Sequence, residues 1–357
     1  MGHGMAFPAS FITILFFAFL FSSTLNVFGQ NRAPGKPSAA PRRNNTSVTQ
    51  ARVSLTPRFS PGQTFRYETV YETTTTTSRS GIATDPQGPS KLVITWHATI
   101  RLDVLPGEAA VPGGIRLRIT YEKSAADLRS DTFDPNASTT QDQYQKLEGK
   151  ILEFALDGSG NVTGVSGLEG IVEGDKALQS ARAWIAQLAA GPGAPVGGVI
   201  IGQKWSSDQA ATSLPVAGMV WRAESQYLRN ESCHPANPDG SSVSANNAPD
   251  NLDAFDDCAV ILTELNLVRP RPVRDPTPEE LRKNGVRTSG TWNGSAQSLS
   301  HISLRSGLIV SLTQTGSENM DVTLTTERLD SLHYAGTILS RSQVALVADK
   351  AQTPPKE

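Results

Sequence analysis

Cysteine is almost missing from the 357 residues: there are two, Cys233 and Cys258. A metal site would need more ligands at tighter spacing, and only His234 lies near either thiol. Aromatics make up 6% and charged residues 18% of the chain, and the formal net charge of −2 is no global signal for nucleic acid. The motifs of the commoner enzymes are absent. There is no His-Glu-x-x-His helix, no Gly-x-Ser-x-Gly elbow, no phosphate-cradling Gly-x-x-x-x-Gly-Lys and no dinucleotide fingerprint. The five histidines, His3, His97, His234, His301 and His333, are scattered. No catalytic, cofactor-binding or metal-binding residue is assigned, and no cofactor is expected.

Acidic residues are also missing from residues 1–58, which carry Arg32, Lys36, Arg42, Arg43, Arg52 and Arg58. The remaining 26 basic and 34 acidic residues leave about −8 for the rest. The N-terminus holds "FPASFITILFFAFLFSSTLNVFG", a near-continuous apolar run followed by Pro-rich polar sequence. Val27 and Gly29 suit the small positions of a cleavage site, so residues 1–29 read as a secretory signal peptide. The preceding "MGHGM" has no Lys or Arg, and an uncleaved membrane anchor is the alternative. No cysteine near residue 30 is available for lipid modification, and "MGHGMAF" lacks the Ser or Thr of a myristoylation signal. Export makes Cys233 and Cys258 a disulfide pair, stabilising by about 3 kcal/mol in the loop-entropy model. Residues 30–57 read as a disordered basic linker, and residues 336–357 as a C-terminal tail.

Between them strand signals dominate. "KLVITWHATIRLDVL" places Leu92, Ile94, Trp96, Ala98, Ile100, Leu102 and Val104 on one face, with Thr95, His97, Thr99, Arg101 and Asp103 on the other. "GIRLRITYE" alternates in the same way. In "TFRYETVYETTTTTSRSG" the run Thr73–Thr77 reads as a solvated strand end. Helical spacing appears in "GDKALQSARAWIAQLAAGPG", and a weaker helix in "TQDQYQKLEG" ending at Gly149. "TPEELRKNG" has the form of a capping box with Thr277 as the cap.

The organisation repeats. "PGQTFRYETVYETT" shares its Gly-Gln-x-aromatic start with "IGQKWSSDQAATSL", Gly62 and Gly202 lying about 140 residues apart. "KILEFALDGSGNVTGVSG" likewise parallels "LSHISLRSGLIVSLTQTG", Asp157 and Arg305 lying about 148 residues apart. We expect a mainly β protein of antiparallel sheets in two related tandem units, curved, unclosed-barrel or sandwich in type. Residues 58–170 form the first unit and 199–335 the second. Residues 171–198 supply a bridging helix and a Gly/Pro linker. The acidic loop 233–258, stapled by its cysteines, interrupts the second unit; its spacing does not match a calcium loop.

Two β-rich halves raise an aspartic-protease pair. Asp157 sits in Asp-Gly-Ser-Gly, but its counterpart is Arg305, so the second carboxylate that shares the proton is missing. A glycosidase pair such as Glu122 with Glu153 is not singled out from 34 carboxylates. "DGSGN" is instead the turn of a hairpin between Leu152, Phe154, Leu156 and the returning Val162 and Val165.

The signal, "PGQTFRYETVYETTTT", "KLEGKILEFALDGSGNVTGVSGLEG" and "IGQKWSSD" together resemble an uncharacterised secreted or periplasmic bacterial β-rich family with a domain of unknown function. More distantly the pattern is similar to LolA/LppX-like carriers, which implies an unclosed barrel with an acyl-binding concave face. The expected function is a secreted or periplasmic, non-enzymatic binding protein for a lipid or other apolar molecule. Alternatives are a structural or protein-interaction module of the cell envelope, and, less favoured, a hydrolase without a recognisable motif.

Overall fold

The computed structural model describes residues 51–82, 88–107, 114–131, 137–157, 162–170, 194–195, 197–211, 214–233, 257–328 and 330–347. The signal segment 1–29, the helix expected near 175–190 and the interior of the stapled loop lie outside them. No described helix is long and apolar enough to cross a membrane.

Eleven antiparallel strands form one open sheet. They are β1 (Thr64–Gly81), β2 (Ser90–Pro106), β3 (Ile115–Ser130), β4 (Ile151–Leu156), β5 (Val162–Ser166), β6 (Lys204–Ala210), β7 (Val220–Ser232), β8 (Asp257–Val268), β9 (Val286–Ser303), β10 (Ile309–Thr326) and β11 (Ser331–Val347). The spatial order is β5-β4-β3-β2-β1-β11-β10-β9-β8-β7-β6. Two meanders, β1 to β5 and β6 to β11, are therefore joined where β11 pairs with β1. The strands of both expected units share this one sheet.

The alternation read from the sequence sets the faces. Ile94, Trp96, Ala98 and Val104 of β2 are buried on the inner face, as are Leu117 and Tyr121 of β3 and Leu152, Phe154 and Leu156 of β4. The outer face carries cross-strand ion pairs: Arg66–Glu122 at 2.9 Å, Arg118–Glu153 at 2.6 Å and Arg222–Asp208 at 2.9 Å. The period breaks once in β3. The β2–β3 register shifts between Thr99 and Ile100, so Glu122 is extra and the inner positions pass from Tyr121 to Ser124 and Ala126.

The shared Gly-Gln start folds identically in both places. Gln63 N bonds Ser60 O, while the Gln63 carboxamide oxygen accepts from Ser60 N at 2.8 Å. Gln203 N bonds Ile200 O, and its carboxamide accepts from Ile200 N at 3.2 Å. Gly62 and Gly202 sit at φ of +91° and +84°, a region that glycine enters without strain. Each then donates to the strand that follows in its own meander, at Val104 O and Tyr227 O.

Four readings are corrected. Residues 336–347, expected in the tail, belong to β11, held by ladders on both sides. Their sequence mixes Ser, Thr and Gly into the alternation, which hides a strand buried between neighbours. The end of the expected linker is ordered: Leu55 is 1% exposed in a cluster with Val199, Tyr227, Ala259, Ile261 and Ile302, and Val53 bridges to Val199. Thr73–Thr77 lies between β2 and β11 rather than at a solvated end, and Thr73 is buried. Thr277 does not cap the short helix α2 (Glu279–Lys283), where α1 is Ala137–Gln145. Its hydroxyl accepts instead from Thr288 N at 2.9 Å, tying the helix entry to β9.

Truncation after Ala335 removes most of β11, exposing β1 and β10 along their whole paired edges. The truncated chain should lose cooperative thermal unfolding by circular dichroism. Leu55→Ala should lower the unfolding free energy by about 2–5 kcal/mol in denaturant titrations.

Candidate functional site

A row of directly paired residues crosses the inner face from β2 to β7. Trp96 opposes Tyr71, Tyr71 opposes Ser342, and Ser342 opposes Gln314. Gln314 then opposes Ser298, Ser298 opposes Thr263, and Thr263 opposes Ser225. All seven are buried. A sheet interior of this size normally carries aliphatic side chains at such positions; here five successive strands contribute Ser, Thr or Gln.

Some of these groups are paired and others are not. Ser225 and Thr263 share a hydrogen bond at 2.9 Å. Trp96 Nε1 donates to Ser124 Oγ at 2.9 Å, and that hydroxyl donates to Tyr144 O at 2.6 Å. Among the described residues, Thr69 Oγ1, Thr73 Oγ1, Ser298 Oγ, Gln314 Oε1, Glu318 Oε1, Thr326 Oγ1 and Ser342 Oγ on β1, β9, β10 and β11 have no hydrogen-bond partner. A buried polar atom left unpaired costs about 1–3 kcal/mol.

Small residues accompany polarity. One pair further along the strands, Thr73, Ser340, Gly316 and Ala296 oppose one another in turn. The next row runs Ile338, Glu318, Gly294, Leu267 and Trp221. Gly294 has no room for a side chain: an added Cβ would lie 2.7 Å from Trp221 Cη2 and 3.0 Å from Glu318 Cγ. The Trp221 ring and the Glu318 side chain thus converge over one glycine.

Glu318 is the one buried carboxylate among the described residues, 2% exposed. Trp292 Nε1, on the diagonal position of β9, donates to its Oε2 at 2.7 Å. Burial pushes this carboxyl above the ordinary range, and the Trp292 hydrogen bond acts the other way without cancelling it. Burial likewise raises the Tyr71 phenol, with the Glu318 charge adding to the rise. Nothing in the motif search pointed to Glu318. The signal lies in β10, where the inner positions read Val310, Leu312, Gln314, Gly316, Glu318, Met320, Val322, Leu324: an acid and an amide inside an apolar alternation.

Apolar clusters flank the polar row along the strands. Toward one end lie Phe65, Val104, Leu117, Leu152, Phe154 and Leu346. Toward the other lie Met219, Leu267, Trp292, Val322 and Leu324. The face therefore offers hydrocarbon surface on either side of a polar centre.

The structure forms the expected Cys233–Cys258 disulfide, with Cα atoms 5.0 Å apart. Such a bond fits an oxidising, exported environment. Glu122 and Glu153 are not brought together: each is held by arginines on the outer face, Glu122 by Arg66 and Arg101 and Glu153 by Arg118 and Arg116. Asp157 directly follows β4, and Arg305 lies in the connection between β9 and β10. His97 is exposed on the outer face, and His333 meets Asp321 at 3.0 Å. Among the described residues no three His, Cys, Asp or Glu side chains group as a metal site.

His301 is more interesting. Its Nδ1 lies 2.9 Å from Ser311 Oγ and its Nε2 lies 2.7 Å from Glu231 Oε1. This is the residue set of a nucleophile, a base and an orienting acid, spread over β10, β9 and β7. Acyl transfer also needs amide donors aimed at the developing oxyanion. Ser311 lies in the paired register of β9 and β11, where backbone amides serve the ladder. The line ties strands together beside the disulfide. Burial works against the Glu231 charge, but hydrogen bonds from His301 and Arg229 outweigh it and hold that carboxyl below its usual range.

No family model and no curated protein matches the chain. Among solved structures, a structure of lipid–protein interactions in lipovitellin aligns with a TM-score of 0.39 and 11% identity. The alignment covers 81% of this chain and 25% of lipovitellin, so the chain spans about a quarter of that protein. An outer membrane channel from Pseudomonas putida F1 aligns at a TM-score of 0.21 and 9% identity, covering 85% of this chain and all of the channel. DynF, from the dynemicin biosynthesis pathway of Micromonospora chersina, aligns at 0.17 and 7%, covering 92% and 98%. Scores this low carry no argument about function.

Because the Glu318 carboxyl is raised in the folded state, its proton stabilises the fold fully below the unfolded carboxyl value. That contribution is lost as the pH rises through the folded value. Glu318→Gln should flatten this fall, seen as urea midpoints that depend less on pH above the ordinary carboxyl range. Gly294→Ala should cost about 1–3 kcal/mol by overpacking Trp221, unless Trp221 is also shortened.

Proposed function

We propose that the protein is an exported, non-enzymatic binding protein that holds a small amphipathic molecule against the inner face of its sheet. One observation carries the reading: among the described residues, seven buried polar atoms on β1, β9, β10 and β11 lack partners within a face otherwise mostly aliphatic and aromatic. Native interiors keep such atoms few, because replacing them with apolar groups costs nothing in packing. Clustering on one face points to a partner from outside the described chain. Apolar flanks would take the tail of an amphiphile, and the polar row would take its hydrogen-bonding groups. The small residues Gly316, Ala296 and Ser340 keep that part of the face low.

Export is supported by the disulfide and by the N-terminal apolar run, and it places the protein in the periplasm or outside the cell. An envelope interaction module has less in its favour. The two free sheet edges are the short strands β5 and β6, of 5 and 7 residues, which offer little backbone for strand addition.

Native mass spectrometry of the protein purified without detergent should show a small-molecule adduct that denaturation releases. Gln314→Leu with Ser342→Val should keep the fold and weaken uptake of a fluorescent long-chain probe by about tenfold or more, equivalent to about 1.4 kcal/mol. A wild-type protein that carries no adduct and takes up no probe would overturn the reading; bound water would then satisfy the row.

A further inference from the structure

We infer that Glu318 is the recognition point for an ammonium group on the bound amphiphile. The inference rests on the inner-face binding reading and adds the ligand's charge to it. Glu318 has one oxygen engaged, Oε2, by Trp292 Nε1 at 2.7 Å; Oε1 has no donor. Among the described residues no Lys, Arg or His forms an ion pair with it. A carboxylate taken out of water loses hydration that only an opposite charge with hydrogen bonds returns. The described residues supply an acceptor and no cation. A protonated amine supplies what is missing: a positive charge and N–H donors for Oε1.

The surroundings select the same group. Trp221 meets Glu318 over Gly294, and Trp292 reaches its other oxygen, so two indoles border the carboxyl. An alcohol would satisfy Oε1 without balancing an ionised carboxylate, and an anionic head would be repelled by it. Gly294 lies directly opposite and Gly316 two residues back on the same strand, so the positions beside Glu318 carry no side chain of their own.

The binding step balances in protons. Burial disfavours the charged form of this carboxyl, and the Trp292 hydrogen bond offsets that only in part. When R–NH3+ arrives, it stabilises the ionised form, so whatever proton the carboxyl carries passes to solvent and a carboxylate–ammonium pair remains. No covalent bond forms.

The test compares head groups on one tail, below micelle concentrations: dodecylamine, 1-dodecanol and dodecanoate, by displacement of a neutral fluorescent probe. Wild-type protein should bind the amine at least tenfold more tightly than the alcohol, and the acid most weakly. Glu318→Gln should remove the amine preference while keeping alcohol binding. Calorimetry of the wild-type protein in two buffers of different ionisation enthalpy, repeated across pH, should show more proton release with the amine than with the alcohol at some pH, a result that needs no variant. Lysophosphatidylethanolamine and lysophosphatidic acid form a second pair: preference for the former places the ammonium on a phospholipid head, and no such preference with retained amine selectivity places it on a simple amine. Equal binding of amine and alcohol to the wild type, or amine selectivity unchanged in Glu318→Gln, overturns the ammonium inference and leaves the binding reading intact. Binding of none of the probes overturns both.

Discussion

Everything on the inner face depends on the pairing of β1 with β11. The ladder runs from Arg66 opposite Val347 to Gly81 opposite Leu332. Without it the chain would be two meanders, each with a long unpaired strand edge, exposed to aggregation. With it, those two edges become the centre of one sheet, and only short strands remain at the margins. The pairing is also what sets Tyr71 against Ser342, so that the polar row continues from one half of the chain into the other. A register slip of one residue would turn Ser342 and Val344 outward and bring Arg341 and Gln343 in.

That centre is an unusual place for hydroxyls and amides. Elsewhere the face is aliphatic and aromatic, and its burial is the main favourable term of the fold. Hydrogen bonds such as Ser225 to Thr263, and Trp96 through Ser124 to the Tyr144 carbonyl, show the chain satisfying its buried polar groups where it can. Ser342, Gln314 and Ser298 sit side by side on three adjacent strands without that provision. Their cost must be met by the stability of the surrounding sheet, as is usual where a site is kept for a partner.

The outer face follows a different logic. Arg101, Arg118 and Arg222 find carboxylates on neighbouring strands and Arg66 reaches across β2 to Glu122, in partly exposed pairs that steer register more than they stabilise. Ser311, His301 and Glu231 belong to this face. Their alignment resembles a catalytic set because a sheet brings side chains on adjacent strands within about 5 Å as a matter of course. Residue identity and spacing in such a place are weak grounds for chemistry unless donors for the reacting oxygen accompany them.

By itself the sequence determined the strand-rich class, the faces of β2, β3 and β4, the disulfide, and the shared Gly-Gln turn, because alternation, thiol pairing and tight turns are local or nearly so. The apparent correspondence of Asp157 with Arg305 marked hairpins in both halves and rightly did not promise a carboxylate pair. Tertiary structure alone decided that the two halves close through β11, that Leu55 leaves the linker for the core, and that Gln314 and Glu318 face inward. The first two depend on contacts between residues more than 200 positions apart, such as Tyr71 with Ser342 and Leu55 with Ile302, and the last on which strands flank β10. A strand containing Ser, Gly and Arg looks like tail until its neighbours bury it, and a glutamate reads as surface until the register places it beneath two tryptophans.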